Sequence, residues 1–263
     1  MTKVLIIGKN SFIGSNLKKS LSKKFKVEIL SFEQVKKKNN LFFLKYTHII
    51  NTAIHKKYIK NKYDKIYDLD RVFISRFKKI QFIYIFLNTR KIYLQKENIS
   101  EKSLLKPRCQ YGKNKLITEI FLKKKIKRKL LSLRIGNIIG KRLIKNKRNN
   151  HKLFFDNFLL FKKNKKNFLV ANDFKDFLSI VQFSRIVSSL IQKKINGIYN
   201  ISLSQKIYIS ELIYWLDVDY FKKINFTNKL NDSFTLSNKK LLKKIGKKPL
   251  KIELKKFCKN ILR

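Results

Sequence analysis

A tyrosine and a lysine that could together transfer a proton lie in the segment RCQYGKNKLITEIF, residues 108–121. Tyr111 and Lys115 are four positions apart, so on a helix they share one face. A phenol has an ordinary pKa of about 10, and an adjacent ammonium favours the phenolate and lowers that pKa. The spacing therefore indicates a general acid or base that works near neutral pH.

The same spacing occurs at Tyr58 and Lys62, in YIKNK at 58–62. Such pairs arise by chance in a chain this rich in lysine, and the neighbouring His55 and lysines predict a solvated loop or helix edge. Tyr111, by contrast, opens a segment with apolar residues at helical spacing. The residues expected on one apolar side of this helix are Leu116, Ile117, Ile120 and Phe121. The helical spacing favours Tyr111 and Lys115 over the other pair but does not decide between the two pairs.

A second motif is the glycine-containing loop in IIGKNSFIGSNL, residues 6–17. Gly8 follows a short apolar run that reads as a strand, and Gly14 lies in an amphipathic helix. Backbone N–H groups at such a helix N-terminus can hold a pyrophosphate. Ser11 stands where the fuller dinucleotide motif has its middle glycine. The alternative is an ordinary strand-to-helix turn with glycine for packing.

The end of the second strand, in VEILSFEQVKKK at 27–38, is expected to set the cofactor preference. A carboxylate there binds the ribose 2′-OH of NAD, and its absence beside cations favours the 2′-phosphate of NADP. Ser31 occupies this position, Glu33 follows, and lysines fill 36–38. The pattern favours NADP over NAD.

Strands and helices alternate along the first part of the chain, which predicts an α/β, Rossmann-like, doubly wound parallel sheet. Strands are expected in the segments 3–8, 26–30, 47–53, 81–89, 130–140 and 197–202. Helices are expected at 153–163 and 183–194, and the tail predicts two amphipathic helices separated by Gly246 and Pro249. We expect a nucleotide-binding domain over 1–140, with a returning segment near 174–202. A small, mostly helical substrate lobe would comprise 141–173 and 203–263.

The composition of the 263 residues is strongly basic, with a formal net charge of +48. This charge would ordinarily indicate nucleic acid. However, the residues in excess are Lys, Asn, Ile, Phe and Tyr, whose codons are A/T-rich, and the lysines are dispersed. We therefore expect no nucleic-acid partner, with a polyanion-binding protein kept as an alternative.

Cys109 and Cys258 do not have a metal-ligand spacing, so no metal site is predicted. The longest strongly apolar run, FIYIFL at 82–87, is too short to span a membrane. With no signal peptide recognised, a cytoplasmic location is expected.

The motifs occur as an ordered series that resembles the extended short-chain dehydrogenase/reductase family, which comprises nucleotide-sugar epimerases, dehydratases and ketoreductases. The glycine loop comes first, and INTAI at 50–54 is similar to the Asn-x-Ala motif that ends the family's fourth strand. LNTRKIY at 87–93 resembles its Ser/Thr segment, and YGKNKLITE at 111–119 its Tyr-Gly-x-x-Lys-x-x-x-Glu motif. LRIGNIIG at 133–140, FKDFLSI at 174–180 and GIYNIS at 197–202 resemble the later positions.

The resemblance implies roles for individual residues. Tyr111 would exchange a proton with a sugar oxygen while hydride moves between carbon and nicotinamide, Lys115 would lie under the cofactor ribose, and Thr89 would hydrogen-bond the same sugar oxygen. The alternative for Thr89 is a strand-end residue that satisfies local backbone. The cofactor pocket would comprise Gly8, Ser11, Phe12, Ile13, Gly14, Ser31, Asn51, Ala53, Tyr111 and Lys115.

On the substrate side, Asn137 would lie near the nucleotide diphosphate, together with Thr89 at the sugar. Lysines between 141 and 166 could pair with the diphosphate. Arg134 is expected to be structural. The resemblance also implies a homodimer formed through the helix that carries the tyrosine.

The reaction expected is reduction of a nucleotide-linked keto-sugar with NADP or NAD. Arg90 and Lys91 follow Thr89, where dehydratases of this family carry acidic residues. The chain is short, as ketoreductases of deoxysugar synthesis tend to be. A nucleotide-sugar epimerase is the alternative within the family, and a non-catalytic NADP(H)-binding regulator is a further one.

Overall fold

The computed structural model describes residues 1–143, 154–163, 169–227 and 231–262. Within them the strands are β1 (Lys3–Ile7), β2 (Lys26–Leu30), β3 (His48–Asn51), β4 (Ile83–Thr89), β5 (Leu130–Ile135), β6 (Asn137–Ile139), β7 (Leu169–Ala171), β8 (Phe174–Lys175), β9 (Phe177–Ser179), β10 (Gly197–Ile201), β11 (Ile207–Tyr208) and β12 (Asn225–Thr227).

The α-helices in the same residues are α1 (Phe12–Leu21), α2 (Phe32–Lys36), α3 (Lys56–Lys60), α4 (Leu69–Ile74), α5 (Gln110–Ile126), α6 (Phe154–Lys163), α7 (Ile180–Gln192), α8 (Ile209–Leu216), α9 (Val218–Phe221), α10 (Lys239–Ile245) and α11 (Lys251–Asn260). Short 3₁₀ helices cover Leu41–Lys45, Arg90–Ile92 and Lys127–Lys129.

Six strands form one parallel sheet in the order β2, β1, β3, β4, β5, β10. The chain direction across the sheet reverses at β1, which lies between β2 and β3. Ile7 is in register with Leu30 on one side and with Asn51 on the other. The loops that follow these three strands therefore meet at one edge, where ligands bind in open α/β sheets.

Both faces of the sheet are covered, as the apolar strand sequences require. Successive side chains of a strand point to opposite faces. Val4 and Ile6 accordingly belong to one core cluster, whereas Leu5 and Ile7 belong to another. The first cluster also contains residues of α1 and α7, and the second contains residues of α4 and α5. The predicted doubly wound fold is confirmed.

Helix α5 buries a different side from the apolar one expected. Ile117 and Ile120 are 38% and 60% exposed. The buried residues of the helix are Gly112, Asn114, Lys115, Thr118, Glu119, Leu122 and Ile126. The apolar residues were predicted only to share one side of the helix. The buried side is set by polar contacts beneath α5, such as the pair of Glu119 with Arg134, and the periodicity of apolar residues does not register such contacts.

Several local predictions agree with the structure. Strand β2 covers 26–30, and the tail forms α10 and α11 with Gly246 between them at a φ of +73°. The Asn-x-Ala motif lies at the end of β3, which is the third strand in chain order. Between β2 and β3, where the structure describes every residue, the chain forms α2 and the 3₁₀ helix Leu41–Lys45 and no further strand.

The C-terminal part combines α8 to α11 with short strand pairs. Strand β12 pairs with β7, β11 with β8, and β6 with β9. Asp176, fully buried, accepts backbone hydrogen bonds from Leu203 at 2.7 Å and from Ser204 at 3.0 Å. This carboxylate therefore ties the loop after β10 to the segment between β8 and β9. No helix among the described residues is both long and apolar enough to cross a membrane.

Candidate active site

The loop after β1 is built on two glycines that have no room for a side chain. Gly8 has a φ of +116°, and a Cβ added to it would lie 2.8 Å from the backbone nitrogen of Ala53. A Cβ on Gly14 would lie 2.6 Å from the carbonyl oxygen of Gly8. Backbone of the loop thus passes directly over the segment that follows β3.

Ser11 caps helix α1. Its Oγ accepts a hydrogen bond from the Gly14 N–H at 2.8 Å, and its backbone is extended. The first N–H groups of a helix have no partner within the helix, and those of Phe12 and Ile13 lie in this turn. The serine in place of the middle glycine therefore preserves a helix N-terminus that fits a pyrophosphate.

The segment after β3 is held by its own side chains. Asn51 Oδ1 accepts from the Ala53 N–H at 3.0 Å, and Asn51 Nδ2 donates to Asp70 at 2.9 Å. Thr52 donates its hydroxyl proton to the Ile7 carbonyl at 2.8 Å. No role was predicted for Thr52, which lies between Asn51 and Ala53. It attaches this segment to the end of β1.

A cavity at this edge of the sheet brings most of the predicted cofactor residues together. Its described lining is Ser11, Phe12, Ile13, Asn51, Thr52, Ala53, Ile54, Ile59, Leu87, Tyr111, Lys115 and Arg142. The glycine loop, the Asn-x-Ala segment and the Tyr/Lys helix therefore face one space. The tight glycines and the capped helix end fit a dinucleotide, whose holding residues would be Ser11, Phe12, Ile13, Ala53 and Lys115.

Tyr111 and Lys115 lie near the start of α5, one helical turn apart. The Lys115 side chain is only 7% exposed, and its Nζ lies 3.6 Å from Asp70 Oδ2 and 4.4 Å from the centre of the Phe86 ring. The lysine is thus held below the cavity by a carboxylate and an aromatic face.

Burial and neighbouring charges set the pKa of Tyr111. Burial raises it, the charge of Lys115 lowers it, and the charges of Asp70 and Cys109 raise it. The net direction set by the protein's own groups is upward. The lowered pKa was predicted with the positive charge of the nicotinamide also present, and for that complex it stays a prediction. Desolvation of the phenol outweighs the single ammonium beside it.

Thr89 ends β4, and its Oγ accepts a hydrogen bond from the Lys91 N–H at 3.3 Å. Thr89 therefore has the role expected as the alternative, a hydrogen bond with local backbone. The turn that follows it packs against the start of α5, since a Cβ on Gly112 would lie 2.9 Å from the Lys91 carbonyl carbon. Among the described residues no acceptor is found for the Thr89 hydroxyl proton, which leaves it for a second partner.

Ser31 caps α2. Its Oγ accepts from the Gln34 N–H at 3.1 Å, and Gln34 Oε1 accepts from the Ser31 N–H at 2.8 Å. Ser31 is not part of the cavity lining described above. Glu33, exposed, pairs with Lys36 at 3.0 Å.

Asn137 begins β6, and its Nδ2 is buried with no hydrogen-bond partner among the described residues. Such an amide has a donor available for a ligand. Of the lysines between 141 and 166, those at 145, 147, 152, 165 and 166 lie outside the described residues. Lys162 pairs with Asp217.

Arg134 is structural, as expected. Its Nε lies 3.1 Å from a Glu119 carboxylate oxygen, and its Nη1 donates to the Tyr93 hydroxyl at 2.7 Å. Both partners of the Arg134–Glu119 pair are 4% exposed. The glutamate of the Tyr-Gly-x-x-Lys-x-x-x-Glu motif therefore anchors α5 to the sheet.

Tyr58 is not a solvated residue, and that prediction was wrong. It is 3% exposed, and its hydroxyl lies 2.5 Å from Thr118 Oγ1. Lys62, in contrast, is exposed and lies beyond the end of α3, so it does not share a helical face with Tyr58. The pair is a chance match in sequence, as proposed, although the tyrosine itself packs beneath α5.

Comparison with known proteins shows the fold. No protein-family model matches the sequence, and no curated protein matches it at a significant level. Three solved structures illustrate the similarity. TunA, described as an NAD-dependent NDP-hexosamine 5,6-dehydratase involved in tunicamycin biosynthesis, has a TM-score of 0.79 at 15% identity, covering 100% of this chain and 97% of its own.

A UDP-N-acetylglucosamine 4-epimerase from Methanobrevibacter ruminantium, in complex with UDP-N-acetylmuramic acid, has a TM-score of 0.77 at 16% identity and covers 99% of this chain and 97% of its own. A dTDP-4-dehydrorhamnose reductase from Clostridium acetobutylicum has a TM-score of 0.73 at 19% identity and covers 99% and 98%. The chain therefore has, over nearly its whole length, the fold of these extended short-chain dehydrogenase/reductase proteins.

Proposed function

We propose that the protein is an NAD(P)-dependent enzyme of the extended short-chain dehydrogenase/reductase type that reduces a nucleotide-linked keto-sugar. The observation that carries this proposal is the shared cavity, in which Tyr111 and Lys115 face the glycine loop and the Asn-x-Ala segment. The proteins of similar fold that are described as an epimerase, a reductase and a dehydratase support the general class.

In this proposal a bound nicotinamide supplies the hydride. Tyr111 holds a proton at the sugar oxygen and delivers it as that oxygen gains charge. Lys115 places a positive charge beside the phenol and favours its phenolate form after transfer. Thr89 donates its hydroxyl proton to the same oxygen and fixes its position.

The choice of reductase over dehydratase rests on Arg90 and Lys91. Arg90 pairs with Asp232 and lies 3.7 Å from the centre of the Phe234 ring, so it is fixed in a partly buried contact with the C-terminal part. A cation so held does not supply the extra acid and base that water elimination needs. The fold similarity itself extends to a dehydratase and does not distinguish the reactions.

We propose NADP as the preferred cofactor, with NAD as the alternative. Ser31 leaves the end of β2 without a carboxylate at the position that binds a ribose 2′-OH. The nearest acidic residue along the chain, Glu33, forms an ion pair with Lys36. The dissociation constants of NADPH and NADH, measured by fluorescence titration, test this preference.

The substrate would lie between the sheet edge and the C-terminal part, with the nucleotide diphosphate near Asn137. Its buried, unpartnered amide Nδ2 supports this position. The lobe formed by 141–173 and 203–263 would supply the remaining contacts. An epimerase remains the second candidate, since a protein of that activity has the same fold.

We further propose a homodimer through α5. Ile117 and Ile120 expose apolar surface on the side of the helix that faces away from the sheet, and a second copy of the same helix would cover it. The family resemblance supports the same surface.

Thermal-shift measurements with NADPH, NADH and a panel of dTDP-, UDP- and GDP-linked sugars test the proposal. A ligand at one hundred times its dissociation constant should stabilise by about 2.7 kcal/mol. Net oxidation of NADPH by a keto-sugar nucleotide supports a reductase, and interconversion of sugar epimers without net oxidation supports an epimerase. Binding of NADPH without turnover of any such sugar supports the non-catalytic alternative.

A further inference from the structure

Beneath Lys115 lies a carboxylate that no sequence motif indicated. Asp70, in the first turn of α4, has a side chain that is 6% exposed. Its Oδ1 accepts from Asn51 Nδ2 at 2.9 Å and from the Tyr84 hydroxyl at 2.7 Å. Its Oδ2 lies 3.6 Å from Lys115 Nζ. Groups from β3, β4 and α5 thus converge on one buried carboxylate.

Two aromatic rings lie beside the Lys115 ammonium. Its Nζ lies 4.4 Å from the centre of Phe86 and 5.6 Å from the centre of Tyr58. Aromatic faces attract a cation but do not neutralise it. Among the described residues, the acidic partner of this ammonium is Asp70. The position and net charge of the Lys115 site therefore depend on that carboxylate.

We propose that Asp70 is a positioning residue for Tyr111 and Lys115: it holds the Lys115 ammonium at the floor of the cavity and offsets part of the positive charge that the lysine presents to Tyr111. This inference rests on the proposed function, in which Tyr111 transfers the proton. It specifies which group sets the electrostatic balance at that phenol.

The charges that face these groups come from several elements. Tyr111 is affected by Lys115, Asp70 and Cys109, of which only Lys115 favours the phenolate. Burial raises the pKa of Asp70, the charge of Lys115 lowers it, and the charge of Asp68, a fully buried carboxylate two positions earlier, raises it; the net direction is upward. Arg142 lines the same cavity from the loop after β6.

The sign of the effect follows from these charges. A negative charge near a phenol disfavours the phenolate and raises the pKa. Removal of the Asp70 charge leaves Lys115 unopposed, so Tyr111 should ionise at lower pH. Asp68 is not among the charges that act on Tyr111, and the same substitution there should leave the phenol unaffected.

The experiment is a titration of phenolate absorbance, taken as the difference between each protein and its Tyr111→Phe counterpart. In Asp70→Asn, Tyr111 should titrate on the order of one pH unit lower than in the parent protein. In the matched control Asp68→Asn its titration should not move. An unchanged or higher titration point in folded Asp70→Asn overturns the proposal, as does an equal shift in both variants.

If Asp70→Asn does not fold, as circular dichroism would show, the pair Lys115→Gln and Asp70→Asn/Lys115→Gln replaces it. The Lys115 ammonium that Asp70→Asn leaves without its partner is absent from both proteins, and the Asp70 carboxylate in Lys115→Gln keeps its hydrogen bonds from Asn51 and Tyr84. Tyr111 should titrate lower in the double variant, and an equal or higher value overturns the proposal. The readout needs no turnover, so a shift without keto-sugar reduction would reject the proposed function and leave this inference intact.

Discussion

Glu119 and Arg134 form a buried ion pair that joins the helix of Tyr111 to strand β5. The Glu119 carboxylate also accepts from Asn88 at 2.7 Å and from Ser132 at 2.5 Å. Asn88 immediately precedes Thr89 on β4. One carboxylate therefore fixes the helix that carries Tyr111 and Lys115 relative to the strand end that carries Thr89.

Breaking this pair should destabilise the protein strongly. Glu119→Gln leaves the Arg134 charge buried without its partner, and we expect a loss of about 3–5 kcal/mol in the free energy of unfolding, measured by urea denaturation. The exposed pair of Glu33 and Lys36 provides the control, since Glu33→Gln should cost less than about 1 kcal/mol. Similar losses in the two variants would contradict the buried-pair interpretation.

The same pair predicts acid sensitivity. Burial raises the pKa of Glu119, but hydrogen bonds and charge from Arg134, with Ser132 and Asn88, hold it below its usual value. A lowered carboxyl pKa contributes stability above the unfolded pKa, which is lost as pH falls through the folded value. The buried side chain of His48 contributes a further loss of stability, which begins at a higher pH than the loss from Glu119.

His48 is 2% exposed at the start of β3, and its Nε2 has no hydrogen-bond partner among the described residues. Burial, with a contribution from Lys194, lowers the pKa of His48 to about 4. Because the unfolded chain binds the proton more readily, the contribution of His48 to stability is full above about pH 6.5 and falls towards pH 4, by on the order of 2–3 kcal/mol. Asp176 contributes in the opposite sense, because burial raises its pKa to about 7. Urea denaturation of the parent protein and of His48→Leu from pH 7 to pH 4 separates the contribution of His48.

His48→Leu removes the titrating ring, so between pH 6.5 and pH 4 the parent protein should lose about 2–3 kcal/mol of stability relative to His48→Leu. His55, which caps α3 at a more exposed position, offers a histidine control. His55→Asn should keep the slope. An unchanged pH dependence in His48→Leu would reject the assignment.

Gly8 should be essential for dinucleotide binding. Gly8→Ala introduces a Cβ at positive φ into space occupied by the segment after β3, so the loop must move. We expect NADPH binding, measured by fluorescence titration, to weaken about tenfold or more. Gly246→Ala is the matched control, since Gly246 also has positive φ but nothing within 4 Å of an added Cβ. It should cost about 1 kcal/mol of stability and leave NADPH affinity unchanged.

The apolar strip of α5 can be tested through the oligomeric state. Ile120→Glu places a charge at the centre of the proposed contact, so light scattering should show a monomer where the parent protein is a dimer. The parallel change Ile252→Glu, at a 51% exposed residue of α11, should leave the dimer intact. A monomeric parent protein would reject the contact.

The sequence was most informative at positions where the backbone conformation or burial restricts which residue types fit. The strands, the glycine loop and the Tyr/Lys helix start could all be predicted, because apolar runs and scarce glycines report directly on the sheet and its turns. The inward side of α5 could not, since Asn114, Lys115, Thr118 and Glu119 are buried through pairing with distant residues. The role of Asp70 could not be predicted either, because its partners Asn51, Tyr84 and Lys115 are distant in sequence.

Ser31 has a local structural role that was not predicted. Its hydroxyl and backbone complete a capping box with Gln34, and its contact with the cofactor stays a prediction. The capping signal Ser-x-x-Gln was present in the sequence and competes with a ligand-binding role.

The central claim is that Tyr111 transfers a proton beside a bound dinucleotide, and Tyr111→Phe tests it most directly. With a keto-sugar nucleotide that the parent protein reduces, kcat should fall by about 10²–10⁴-fold while the dissociation constant of NADPH stays within about twofold. Tyr58→Phe, from the other Tyr-x-x-x-Lys pair, should keep most of the activity. Full turnover in Tyr111→Phe, or a parent protein that binds neither NADPH nor NADH, would contradict the account.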